Sequence, residues 1–410
     1  MQLEWKRNVV LFLVSQQLSL FGSSLVQYAI MWHITLTTQS GVMMMVSVIC
    51  GFLPQFFMSP FAGVWADRYN RKTLIALADS GIALATLVLA LAFMAGRGAL
   101  WMLFAASALR ALGSAVHQPA VSSFLPQLVP ADQLMRVNAL NQSVQSGVLL
   151  VSPMLSAAIL GATGIQTVFF IDVVTAALAV SVLLLLVRTP AGETRATQSQ
   201  RVNYFYDMRE GIVYIWKNSY VRALGAFNAV FYFFAAPLMS LTPLQVTRSF
   251  GNEVWRLSAI EVVFSVGMMV GGLALAAWGG FKNKVHSMMF SVITVALGTI
   301  ALGVTPVFWL YIVIMGLIGC MIPMFSTPAT VLLQQRVDAN YLGRVFGAIG
   351  MLTSVTYPLA MLVWGPLADL VSVESLLLVS GAVILIEALV MLANKPFVEA
   401  GAPQASESAE

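Results

Sequence analysis

Apolar runs of about 20 residues recur along the whole chain and are separated by short clusters of charged residues, glycine or proline. A helix needs about 20 mostly apolar residues to cross the hydrocarbon core of a bilayer. Each run is therefore predicted to be a membrane-spanning helix. Twelve spans are predicted, at residues 9–35, 42–64, 74–95, 101–122, 138–160, 165–187, 220–241, 258–278, 287–305, 308–333, 345–367 and 375–393.

The composition excludes a water-soluble globule. Hydrophobic residues make up 59% of the chain and charged residues 9%, whereas a soluble domain has about 45–50% apolar and about 25% charged residues. The pattern predicts an all-α membrane protein whose partner is the lipid bilayer. The net charge of +4 comes from basic residues scattered between apolar runs, so no nucleic-acid partner is expected.

The basic residues also predict the orientation of the chain. With the N-terminus inside, all of the 21 lysines and arginines except Arg97, Arg110, Arg248 and Arg256 fall in cytoplasmic loops. Lysine and arginine resist translocation across the membrane. An even number of crossings with both termini in the cytoplasm is therefore predicted.

The longest interruption divides the chain six spans against six. The predicted organisation is an N-terminal six-helix bundle (1–187), a cytoplasmic linker (188–219), a C-terminal six-helix bundle (220–395) and a disordered cytoplasmic tail (396–410). Within the linker, residues 206–217 are weakly amphipathic, as in a helix that lies along the membrane surface.

An internal repeat crosses that divide. Val129, Ala131, Leu134, Arg136 and Val137 recur, shifted by 208 residues, as Val337, Ala339, Leu342, Arg344 and Val345. Two six-helix halves related by an axis along the membrane normal, with the substrate site at their interface, are a known plan of transporters. The repeat favours that plan.

A short loop between the second and third spans carries the most specific motif. Its candidate gating residues are Gly63, Asp67, Arg68, Arg71 and Lys72. This spacing resembles the signature loop of the major facilitator superfamily, in which the aspartate and the bases could bridge helix ends in one conformation and release them in another. An ordinary positive-inside turn would explain the bases but not the spacing of the glycine and the aspartate.

The wider sequence is similar to the macrolide-efflux branch of that superfamily. The similarity lies in Phe52-Leu53-Pro54, Ala66-Asp67-Arg68, Arg110 to Ala120, Ser152-Pro153, Ile171-Asp172-Val173 and Tyr341 to Phe346. It implies a fold of twelve helices in two six-helix bundles related by a pseudo-two-fold axis. It also implies a protein of the inner membrane that exports amphiphilic drugs in exchange for protons. The glycine-rich antiporter pattern of the fifth helix is replaced here by Ser152-Pro153-Met154-Leu155-Ser156-Ala157, which weakens the inference of antiport more than that of export.

Polar residues at helical spacing within the spans are candidates for a substrate cavity, because polar groups are costly in lipid and should face protein or water. Hydrogen bonding between packed helices is the alternative for each of them. The aromatic and methionine candidates would suit apolar ligands, although lipid-facing packing is the favoured explanation for most of them. The candidates are Gln16, Ser19, Ser23, Gln27, Ser114, Gln142, Gln145, Asn228, Phe231, Tyr232, Met268 and Thr327.

Ionisable residues within spans are the candidates for proton coupling: Asp79, Arg110, His117, Asp172 and Glu261. Arg110 falls mid-span and should have a buried partner, for which Asp172 and Asp79 are the candidates. A structural helix–helix pair explains any one of these acids as well as a coupling role does, and His117 could be a packed, hydrogen-bonded histidine.

Two glycine pairs, Gly267 with Gly271 and Gly343 with Gly347, are spaced for close helix packing.

No phosphate-binding loop, hydrolase motif or metal-ligand cluster occurs in the sequence, so neither a cofactor, a metal nor an enzymatic activity is expected. Together with these absences, the resemblance implies a secondary transporter, expected to be monomeric, for a small amphiphilic substrate and protons. Alternatives are an exporter of a siderophore or lysophospholipid and, in other classes, a membrane sensor or a polytopic membrane enzyme.

Overall fold

A computed structural model describes residues 2–188, 204–338 and 341–402 of the chain. Within these ranges the backbone forms fifteen α-helices, a 3-10 turn at Ala131–Gln133 and a π-helical turn at Val182–Leu186, and no strand. The helices are α1 (Gln2–Thr38), α2 (Gly41–Arg68), α3 (Arg71–Met94), α4 (Leu100–Leu128), α5 (Leu134–Thr163), α6 (Ile165–Ser181), α7 (Tyr204–Lys217), α8 (Ser219–Ser240), α9 (Thr242–Ser249), α10 (Val254–Trp278), α11 (Lys284–Val304), α12 (Phe308–Arg336), α13 (Leu342–Leu370), α14 (Val373–Ala393) and α15 (Lys395–Ala400).

Twelve stretches of the described chain are helical, long and apolar enough to cross a membrane, and each contains most of one predicted apolar run. The helices extend beyond the runs because polar residues cap their ends. Asn70, Asn218 and Asn283, for example, accept hydrogen bonds from backbone N–H groups in the first turns of α3, α8 and α11. The prediction of a twelve-span, all-helical membrane protein is confirmed.

The linker and the tail are described in part. Residues 189–203 lie outside the described residues, and α7 occupies the stretch in which a surface helix was expected. It packs on α13, where Tyr214 stacks on Tyr341 with ring centroids 5.0 Å apart. The first part of the predicted disordered tail is helical, because α15 covers Lys395–Ala400 and Asn394 caps it. Residues 403–410 lie outside the described part of the chain.

The chain divides into two compact units. The first contains α1, α2 from Val46 onward, α3 to α6 and residues 253–258. In it α1 packs on α5 and α6, and α3 packs on α4 and α6. Its core includes Phe12 of α1 and Phe124 of α4, which meet edge to face with ring centroids 5.1 Å apart.

The second unit contains residues 39–45, α7 to α9 and the chain from Ala259 onward. Here α11 packs between α12 and α14. A buried polar contact joins three helices of this unit: the Tyr311 hydroxyl donates to the Gln245 Oε1 at 2.8 Å, and the Gln245 Nε2 donates to the Leu302 carbonyl at 3.0 Å. The side chains of Gln245 and Tyr311 are thereby paired inside the bundle, where lipid would offer them no partner.

The two glycine pairs have different environments. A Cβ atom added at Gly267 would lie 2.2 Å from the Gly316 carbonyl oxygen, and one at Gly271 would lie 2.0 Å from the Cys320 carbonyl oxygen. This pair therefore permits the close packing of α10 on α12, as predicted. The same prediction is wrong for Gly343 and Gly347, where an added Cβ meets no described atom within 4 Å.

The internal repeat reappears in the backbone. Val129 follows α4 with φ −113° and ψ 129°, and Val337 follows α12 with φ −99° and ψ 133°. Both side chains are buried, and so are those of the matching pair Val137 and Val345 in the next helices. These two valine pairs thus have matching environments in the two halves of the chain, as a gene duplication would leave them.

Candidate functional site

A polar cavity of about 490 Å³ lies within the first unit, among residues of α1, α3, α4 and α5. Six predicted cavity residues contribute to its wall: Gln16, Ser19, Ser23, Ser114, Gln142 and Gln145. The predicted coupling residues Asp79 and His117 line it as well. Apolar side chains, among them Leu20, Ile82 and Val121, complete the wall.

Helical periodicity explains why these residues converge. Gln16, Ser19 and Ser23 are three and four residues apart, so their side chains follow one face of α1. Ser114 and His117 are related in the same way on α4. Each helix also carries buried apolar residues, such as Phe12 and Phe124, that pack into the core of the unit. The polar faces are therefore left to form a shared cavity.

Asp79 lies deep in this cavity, with 2% of its surface exposed. Its Oδ1 accepts a hydrogen bond of 2.8 Å from the Ser19 hydroxyl. The Nε2 of His117 lies 3.3 Å from the same oxygen. The carboxylate thus connects α1, α3 and α4 while its second oxygen has no hydrogen-bond partner among the described residues.

A second buried cluster joins Arg110 to Asp172. The Nη1 of Arg110 lies 2.6 Å from the Asp172 Oδ2, and the Thr86 hydroxyl donates to that oxygen at 2.8 Å. Arg110 also donates to the Thr86 hydroxyl and, at 3.2 Å, to the Ser23 carbonyl. Of the two partners that the sequence left open for Arg110, the structure places Asp172 against it. The charges compensate each other in a site that solvent barely reaches.

The other predicted cavity and coupling residues do not line the first unit's cavity. Gln27 is exposed on α1. In the second unit, Asn228 donates to the carbonyl of Leu224 one turn earlier on α8, at 2.8 Å. Glu261 is half-buried and Met268 is 38% exposed on α10.

Three further candidates lie in two places in the second unit. Phe231 is buried and stacks on Phe325 at a centroid distance of 4.5 Å, and Tyr232 contacts both rings. Thr327 lines a separate cavity of about 330 Å³ with Gly272 and Leu275.

The signature loop is short and closely capped. The helix α2 ends at Arg68, which is exposed, and α3 begins at Arg71. The Nζ of Lys72 donates to the carbonyl oxygens of Leu184 and Val187, at 3.0 and 2.7 Å, and so caps the end of the helical segment that follows α6. Gly63 is half-buried, and the side chain of Asp67 lies outside the described part.

Two residues of the cavity and the Arg110–Asp172 cluster were not predicted from the sequence. Gln17 lies next to the predicted stripe of α1, and its Nε2 donates to the Asn141 Oδ1 at 2.9 Å across the cavity. Thr86 bridges Arg110 and Asp172, although a lone threonine in an apolar run carries no signal for such a role. Among the described residues, no group of three or more His, Cys, Asp or Glu side chains could hold a metal ion.

The model of the Major Facilitator Superfamily matches residues 9–361. The chain belongs to this superfamily. Macrolide efflux protein A of Streptococcus pyogenes is 30% identical to it over 388 residues, covering 94% of this chain and 95% of the relative. The protein of the same name from Enterococcus faecalis is 31% identical over 315 residues, covering 76% and 97%.

Solved structures of facilitators have the same fold. A mutant of the nucleoside transporter NupG superposes with a TM-score of 0.71 at 15% identity, covering 95% of this chain and 99% of that one. This facilitator is therefore a multi-pass membrane transporter related to efflux pumps, and not an enzyme. The resemblance inferred from the signature loop is confirmed at the level of the family.

Proposed function

We propose that this facilitator exports amphiphilic, macrolide-like compounds across the cell membrane by proton antiport, as a monomer with both termini in the cytoplasm. The single observation that carries the proposal is the 30% identity to macrolide efflux protein A over 94% of this chain and 95% of that one. Because the similarity extends over nearly the full length of both chains, it is not confined to one half of the molecule.

The cavity of the first unit supports an amphiphilic cargo. Its wall combines amide and hydroxyl groups, as at Gln142 and Ser114, with the apolar side chains of Leu20, Ile82 and Val121. Ligand sites of this kind use apolar contacts for affinity and a few polar groups for orientation. A purely apolar molecule would leave the amides without partners, and a purely polar one would not cover the aliphatic wall.

The buried Arg110–Asp172 cluster supports coupling to protons. In the deprotonated state Asp172 compensates the guanidinium of Arg110, at 2.6 Å. A proton on Asp172 would remove that compensation and leave a buried, unpaired cation, which costs several kcal/mol. Binding or release of one proton can therefore change the relative free energy of two conformations by several kcal/mol, which is the order of magnitude needed to change which of them is populated. The absence of a phosphate-binding loop from the sequence is consistent with an ion gradient as the energy source.

A drug-panel efflux assay tests the proposal. Cells that express the facilitator and cells that carry the empty vector are loaded with fluorescent or radiolabelled amphiphiles, macrolides among them, and the retained amount is measured with and without a protonophore. We expect lower retention in expressing cells and the loss of this difference with the protonophore. Equal retention of every compound in both cell types would contradict export, whereas efflux that persists with the protonophore would contradict proton coupling.

A further inference from the structure

The cavity of the first unit contains an excess of buried hydrogen-bond acceptors. Three oxygens have no hydrogen-bond partner among the described residues: Oδ2 of Asp79, Oε1 of Gln16 and Oε1 of Gln17. Asp79 is 2% exposed and Gln16 is 7% exposed. A buried acceptor without a donor is costly, and most such groups in folded proteins are satisfied. A cluster of three such oxygens in one cavity therefore points to a missing ligand that donates.

Three donors beside these oxygens form hydrogen bonds with other atoms. The Nε2 of Gln16 donates to the Ser15 hydroxyl at 3.3 Å, and the Nε2 of Gln17 donates to the Asn141 Oδ1 at 2.9 Å. The Ser19 hydroxyl donates to the other oxygen of Asp79, at 2.8 Å. The amide oxygens of both glutamines and the second oxygen of Asp79 are thus left for a ligand.

The charge of the cluster indicates what kind of donor it would accept. The acidic group of the cluster is Asp79. Arg110 is paired with Asp172 and not with Asp79. His117, the basic side chain in contact with Asp79, places Nε2 3.3 Å from Oδ1, the oxygen to which Ser19 also donates, and Oδ2 has no hydrogen-bond partner among the described residues. Hydrogen bonds from a cation to a carboxylate are roughly twice as strong as those between neutral groups. A cationic donor would satisfy this site better than a neutral one.

We propose that Asp79, with Gln16, Gln17 and His117 around it, binds the protonated amine of an amphiphilic substrate. The inference rests on the export proposed above and names the chemical class of the cargo. The ammonium group donates to the free oxygen of Asp79 and to the glutamine carbonyl oxygens, while the apolar body of the substrate lies against Ile82 and its neighbours in the wall. This amine site is separate from the compensated Arg110–Asp172 cluster.

Binding of a matched pair of probes to the full chain in phosphatidylcholine nanodiscs tests the amine site. The probes are 1-naphthylmethylamine, protonated at about pH 7, and its N-acetyl derivative, which retains the aromatic body but loses the charge. Affinities are measured by equilibrium dialysis. We expect the amine to bind at least about tenfold more tightly than the amide, the value of one charge-assisted hydrogen bond. Equal affinities would overturn the proposal.

Variants assign the preference to Asp79. In Asp79→Asn the amine should lose about tenfold in affinity while the N-acetyl probe is unaffected, whereas Asp132→Asn, which removes an exposed carboxylate of the same unit, should change neither. Retention of amine binding by Asp79→Asn would overturn the assignment. If that variant does not fold, Gln17→Leu removes a half-buried acceptor and should weaken amine binding about threefold or more; no change would overturn the proposal equally.

Two further outcomes separate this inference from its alternatives. If sodium chloride displaces the amine at concentrations at which choline chloride does not, the cluster is an inorganic cation site and the assignment to a substrate amine is overturned. Dialysis measures binding rather than transport. If the protein exports drugs but binds the amine and its N-acetyl derivative equally, the amine site alone is refuted. Selective binding in a protein that fails the drug panel would refute the export proposal alone.

Discussion

Neutralising Asp172 should destabilise the first unit strongly, because it leaves Arg110 buried without an anion. The Asp172 carboxylate is 1% exposed and accepts hydrogen bonds from Arg110 at 2.6 Å, from Thr86 at 2.8 Å and from Ser23 at 3.4 Å. Removal of one partner of a buried ion pair costs about 3–5 kcal/mol. Asparagine retains one acceptor oxygen, so we expect Asp172→Asn to lose about 3 kcal/mol, near the lower end of that range.

Equilibrium unfolding in mixed micelles containing dodecyl sulfate, followed by tryptophan fluorescence, measures this loss. A double-mutant cycle separates the ion pair from other effects of the substitution. In the double variant Arg110→Met with Asp172→Asn no unpaired charge remains, so its free energy of unfolding should exceed that of Asp172→Asn by about 2 kcal/mol. Asp132→Asn, at an exposed site, should stay within about 0.5 kcal/mol of the wild type.

Two results would refute the reasoning. Asp172→Asn could prove as stable as the Asp132→Asn control, which would mean that the Arg110–Asp172 contact contributes nothing to stability. Alternatively, the double variant could show the sum of the two single losses. Additivity would mean that the residues do not interact energetically despite a separation of 2.6 Å.

Three further perturbations test other parts of the molecule. Gly271→Ala places a Cβ 2.0 Å from the Cys320 carbonyl oxygen, so it should lower the melting temperature in size-exclusion assays, whereas Gly343→Ala, which meets no described atom, should not. Lys72→Met removes the two hydrogen bonds that cap the segment after α6 and should cost about 1–2 kcal/mol in the same unfolding assay, and no loss would contradict the capping role. Asp67→Asn should impair efflux while membrane insertion, measured by surface labelling, stays intact; wild-type efflux would contradict a gating role for the signature loop.

The twelve spans could be predicted because the bilayer imposes a simple rule on the sequence. Each crossing must be a helix of about 20 apolar residues, since lipid offers no partner to an unsatisfied backbone. The ends of the helices were harder to predict, because the terminal turns are polar and the first turns depend on caps such as Asn70 and Asn283. The short helix α15 was missed for a related reason: its six residues are too few to show a periodic pattern.

The candidate site could be predicted as far as helical spacing determines it. The stripe Gln16, Ser19 and Ser23 does line the cavity, because residues three and four apart share one face of α1. The choice between Asp79 and Asp172 as the partner of Arg110 depends on how far neighbouring helices are rotated about their axes, and one sequence holds no information on that. The glycine pairs show the same limit, because Gly267 faces α12 whereas Gly343, in a pair with the same spacing, has no described atom within 4 Å of an added Cβ.

Proton movement driven by the substrate is the most direct test of the central claim, that this facilitator exchanges amphiphilic compounds for protons. Inverted membrane vesicles are energised until their interior is acidic, and a fluorescent amine reports the pH gradient. A compound identified in the drug panel is then added. The account predicts a partial, saturable loss of the gradient in vesicles with the protein and none in vesicles without it. An identical response in both preparations, for a compound that the protein demonstrably exports, would contradict the account.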